Sequence, residues 1–208
     1  MTDFKIQIPC EPNELVVREA QSIVIIGANG SGKSHLGAWI ELNNKDKEVL
    51  RISAQRALSI PDVITVKSQE SSWNKVVYGI ETEHNKNYKW NWGKQYTTRL
   101  IDDFESVLSA IFAIKNKEND AYVKECKLRE AQGKEKGQVP RMITDKIYDI
   151  WNAVFPHREI LIEDATVKAR INIENNLYPA KQMSDGESSY LFNRTMYDSP
   201  LRNSYSYR

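Results

Sequence analysis

The spacing of apolar residues changes several times along this chain, and each change predicts an element. Phe4, Ile6 and Ile8 alternate with Lys5 and Gln7, and Leu15-Val16-Val17 follows Pro12-Asn13, which predicts two short strands at the start. Ile23-Val24-Ile25-Ile26 is an apolar run of strand character. Leu36, Trp39, Ile40 and Leu42 then recur at helical spacing until the polar stretch Asn43-Asn44-Lys45-Asp46. Val49-Leu50-Arg51-Ile52-Ser53 resumes as a strand. Strand, loop, helix and strand in this order predict a βαβ unit, and so an α/β fold with a mostly parallel sheet.

The texture changes between residues 71 and 151. Leu100, Ile101, Phe104, Val107, Leu108, Ile111 and Phe112 fall on one helical stripe. From Lys115 to Lys136 the sequence is highly charged with few apolar positions, which predicts a solvated helical arm or loop. Gly137-Gln138-Val139-Pro140 interrupts it, and Ile143, Ile147, Ile150, Trp151 and Val154 form a further amphipathic helix. The block reads as a helical subdomain inserted into a nucleotide-binding core. The expected organisation is an N-terminal core part at 1–70, the helical insertion at 71–155, and a hairpin-containing segment at 156–208 that returns to the core.

Two alternations carry extra meaning. Ile160-Leu161-Ile162 leads into Glu163-Asp164, and Val167, Ala169, Ile171 and Ile173 alternate with polar residues directly afterwards, so the pair reads as a β-hairpin turning at Glu163-Asp164-Ala165. Tyr88-Lys89-Trp90-Asn91-Trp92-Gly93-Lys94 interleaves aromatic with polar residues. Such a strand either stacks nucleic-acid bases beside lysines or packs one face on a core.

Composition narrows the field only a little. In 208 residues, 40% are hydrophobic and 27% charged, with a net charge of +1, as in an ordinary globular protein without a global field for polyanions. Cys10 and Cys126 have neither CxxC spacing nor paired histidines nearby, which argues against a zinc site or a disulfide framework. The N-terminus lacks the regions of a signal peptide, and no apolar run reaches the length of a membrane span, so a cytoplasmic location is expected.

The chemistry concentrates between the first apolar run and its helix. Gly27-Ala28-Asn29-Gly30-Ser31-Gly32-Lys33-Ser34 matches the phosphate-binding pattern G-x-x-x-x-G-K-[ST] in full. Glycines at 27, 30 and 32 allow a backbone that turns its N–H groups inward as a nest, and the following helix presents its positive end. Lys33 is expected to reach the β and γ phosphates of ATP, and the Ser34 hydroxyl to ligate Mg²⁺. Gln55 and Arg56, just past the next strand, are candidates to touch phosphate, metal or the attacking water, or else belong to a surface turn.

Near the end stands Met183-Ser184-Asp185-Gly186-Glu187-Ser188, followed by Ser189-Tyr190-Leu191-Phe192. Together with the phosphate loop GANGSGKS it resembles the signature motif of ABC-type AAA family ATPases of the RecF and SMC type. That resemblance implies a P-loop NTPase head whose two copies sandwich ATP in a head-to-head homodimer. Lys33 and Ser34 would then act in cis, and Ser184, Asp185, Gly186 and Glu187 in trans. It also implies a link to DNA or to a partner nuclease, with roles in DNA repair, chromosome maintenance or phage defence.

In such ATPases the signature helix leads to a Walker B strand ending in Asp and Glu. Residues 193–208 contain no such strand, so the expectation is a head truncated before Walker B that binds ATP with Mg²⁺ and hydrolyses it poorly or not at all. No catalytic residue is assigned. The alternative is a P-loop kinase that transfers the γ-phosphoryl group to a small acceptor, with Glu163 or Asp164 as metal anchor.

Overall fold

The structure is a computed structural model that describes residues 4–9, 14–17, 23–44, 49, 51, 60–82, 84, 103–171 and 176–198, the side chains of residues 4, 14, 15, 17 and 193–198 excepted. Strand β1 (Phe4–Gln7) pairs antiparallel with β2 (Glu14–Val17), placing Phe4 opposite Val17 and Ile6 opposite Leu15. The alternation at the start of the chain thus forms the two expected strands, and they form a ladder of their own.

Helix α1 (Lys33–Asn43) begins inside the glycine-rich stretch 27–34 and ends where the asparagines predict. Asn44, at its C-terminal end, is 1% exposed and locks the helix to β1. Its carbonyl oxygen accepts from the Gln7 amide at 2.9 Å, and its amide nitrogen donates to Gln7 O at 3.4 Å and to Ile40 O at 2.8 Å. One side chain therefore supplies a partner to both the N–H and the C=O of Gln7 at the end of β1.

The larger body comprises α2 (Gln69–Tyr78), α3 (Phe104–Ala131), α4 (Ile143–Val154), β3 (Arg158–Glu163), β4 (Thr166–Ile171), β5 (Leu177–Pro179) and α5 (Asp185–Asp198). Ser68 caps α2 by accepting from Ser71 N at 3.1 Å, and Gly79 ends it in the left-handed conformation at φ 83°. The helical stripe of the sequence becomes the first third of α3. Leu100 and Ile101 lie outside the described residues, whereas Phe104, Val107, Leu108 and Ile111 are all buried.

The Ser109 hydroxyl joins α3 to α2 and to the segment before it. It donates to Thr65 O at 2.8 Å and accepts from Lys67 N at 2.9 Å and from the Ser72 hydroxyl at 3.0 Å. Trp151 on α4 is 1% exposed, stacks at a tilt on Phe155 with centroids 4.7 Å apart, and donates its indole N–H to Arg158 O at 2.9 Å. Phe104 meets Phe192 of α5 at 5.4 Å. Every residue of the hydrophobic core cluster lies between Ile60 and Phe192.

The hairpin forms as the alternation predicts. Ile160 and Ile162 are buried on one face of β3 opposite Ala169 and Val167, and Asp164 and Ala165 turn the chain at φ 49° and 54°. Such a pair of positive φ angles is the primed-turn geometry that matches the twist of the flanking strands. β5 adds antiparallel to the outer side of β4, giving a three-stranded sheet in the order β3-β4-β5.

The expected P-loop NTPase fold with a mostly parallel sheet is overturned by this topology. Among the described residues one sheet has two strands and the other three, and every ladder is antiparallel. The apolar run 23–26 is extended but joins no ladder, with Val24 80% and Ile26 90% exposed. Of the strand expected at 49–53, Val49 and Arg51 are described and are not in a strand, and the rest lies outside the described residues. The physical reason is local pairing. β1 finds β2, and β3 finds β4 and then β5, all through short connections, whereas a parallel ladder requires partners brought together across a long crossover.

Candidate functional site

The loop 27–34 takes its shape from three glycines, for two different reasons. Gly30 and Gly32 adopt φ 81° and 88°, a region that disfavours any residue with a Cβ, and Gly32 is the residue from which α1 starts. At Gly27 the constraint is space, since a Cβ there would stand 2.6 Å from Ser31 Oγ. Ser31 N donates to Ala28 O at 3.1 Å, closing the turn, and Leu36 N donates to Gly32 O at 2.9 Å as the first helical bond. The amides of residues 33–35, at the start of α1, belong to the group that a helix leaves without intrahelical acceptors.

Lys33 folds back over this loop. Its ammonium donates to Gly27 O at 2.6 Å and to Ala28 O at 2.7 Å, so the positive charge sits on the carbonyls at the start of the loop. Asn29, Gly30, Ser31, Gly32, Lys33 and Ser34 are all exposed, and a ligand reaches them without any rearrangement of the body. Among the described residues no carboxylate hydrogen-bonds to residues 27–34. This donor set has the chemistry of a phosphate chain's partners, since the amides at the start of α1, one ammonium and one hydroxyl belong to the same exposed stretch. Ser34 would supply one oxygen to Mg²⁺, with the phosphates supplying others. Among the described residues no group of three His, Cys, Asp or Glu side chains gathers to hold a metal by itself. Gln55 and Arg56 lie outside the described residues, as does the aromatic stretch 88–94.

The second motif is organised differently. Ser184 precedes α5, and Glu187 turns back toward it: Ser184 N and the Ser184 hydroxyl donate to Glu187 Oε2 at 2.8 and 2.7 Å. Glu187 N meets Ser184 Oγ at 3.4 Å. This reciprocal arrangement is a capping box, and its S-x-x-E spacing was present in the sequence. The other carboxylate oxygen, Oε1, accepts from Arg158 Nη1 at 2.5 Å and from the Tyr178 hydroxyl at 3.2 Å, and Arg158 also donates to Tyr178 Oη at 3.0 Å.

Glu187 is 3% exposed and ties α5 to β3 and β5. Burial pushes its carboxyl up, but the Ser184 hydroxyl and amide and the Arg158 guanidinium outweigh burial and hold it below the usual carboxylate range. Tyr178 is pushed up, chiefly by burial. Thus Ser184, Asp185 and Gly186 are exposed while Glu187 faces inward. Arg158 and Tyr178 carried no role in the sequence reading, because neither belongs to a motif and only tertiary packing brings them to Glu187.

Glu163 and Asp164, either of which was the metal anchor expected of a kinase, stand at the turn of the antiparallel β3–β4 hairpin. Thr166 Oγ1 donates to Glu163 O at 2.9 Å within that turn. Among the described residues no helix is long and apolar enough to cross a membrane. Comparison with known protein families, with curated proteins and with solved structures finds no match.

Proposed function

We propose that this chain binds a nucleoside triphosphate, ATP with Mg²⁺, through residues 27–34. The observation that carries the reading is the loop itself: two glycines at positive φ, a third whose Cβ would crowd the Ser31 hydroxyl, and an ammonium held on the loop's own carbonyls at the exposed start of α1. Phosphate oxygens would replace Gly27 O and Ala28 O as partners of Lys33, and the free amides at the start of α1 would meet the same anion. The Ser34 hydroxyl would hold Mg²⁺. Among the described residues the acidic pair Glu163-Asp164 is taken up by a hairpin turn and is given no part in turnover.

A supporting contact from a second copy, in the manner of ABC-type ATPase heads, would use the exposed Ser184 and Gly186 at the start of α5. Glu187 would act only by holding Ser184. Roles beside DNA or a nuclease partner rest on the motif resemblance alone.

The test is equilibrium binding of a fluorescent ATP analogue in the presence and absence of Mg²⁺. Lys33→Met should weaken binding about 100-fold, equivalent to about 2.7 kcal/mol, while leaving the unfolding transition in place. Equal affinity in the variant would overturn the reading.

A further inference from the structure

We draw no further inference here: the strongest candidate, the extended and exposed apolar run Ile23-Val24-Ile25-Ile26 ahead of the loop 27–34, is an unpartnered surface patch among the described residues, and nothing in the structure shows what covers it.

Discussion

The region before residue 52 and the region from Ile60 onward are held together in different ways. In the second, α2, α3, α4, β3, β4 and α5 all contribute to one continuous apolar cluster, and its largest members are almost fully enclosed. In the first, Ala38 is the buried apolar residue among those described, while Ile23, Val24, Ile25 and Ile26 face solvent. There the order comes from polar contacts: the Asn44 clamp, the Glu41–Arg51 pair at 3.3 Å and the self-bonded loop 27–34. The comparison teaches that a locally shaped loop and a stable core are separate properties. The loop needs only glycines, a helix start and an ammonium, whereas a core needs many apolar side chains from distant parts of the chain.

The sharpest way to break this comparison is to damage the core and watch the loop. Trp151→Ala should destabilise the body by about 3–5 kcal/mol, read from denaturant unfolding, because it removes a large enclosed ring and an indole hydrogen bond. An unfolding midpoint that hardly moves would mean that the cluster is not the source of stability.

Next in size is the Glu187 cluster. Glu187→Ala should cost about 2 kcal/mol, less than for a fully enclosed pair because the Arg158 side chain is 39% exposed. The sign of the pH dependence follows from the lowered carboxyl. Its stabilisation is fully present above the ordinary glutamate range and is lost as pH falls through the folded-state value. Glu187→Gln should therefore flatten the acid side of the stability curve while leaving ATP-analogue affinity within about 2-fold. A parallel loss of affinity would show that the two regions are coupled.

The smallest effect is expected where the apolar residues are most exposed. Val24→Ser and Ile26→Ser should each change stability by less than about 0.5 kcal/mol and should reduce self-association in light scattering. A loss above about 1 kcal/mol would show that the run 23–26 is covered in solution.

Local pattern made much of this molecule legible. The end of α1 at its asparagines, the start of α4 at Ile143 and the β3–β4 turn at Asp164-Ala165 each follow from spacing and turn chemistry within a few residues. The charged stretch after Lys115 left helix and loop open, and α3 continues through it to Ala131. Its inward side is stabilised by contacts to the returning chain, Tyr122 to Gly137 O and Glu118 to Ile143 N, that no local window contains. The capping box at Ser184 and Glu187 was readable from S-x-x-E spacing but is easily taken for an anion site alone, because both uses call for the same residues at a helix start.

What the sequence alone determined is therefore local: the glycine geometry and lysine of residues 27–34, the helix limits, and the hairpin with its primed turn. Only tertiary structure decided that the strands pair with their neighbours and not across a crossover, that Glu187 faces Arg158 and Tyr178, and that one side of α3 is covered. The reason is range. Dihedral preferences and periodicity act over a few residues, whereas ladder partners and ion pairs such as Arg158 with Glu187 depend on which distant segments come to lie side by side.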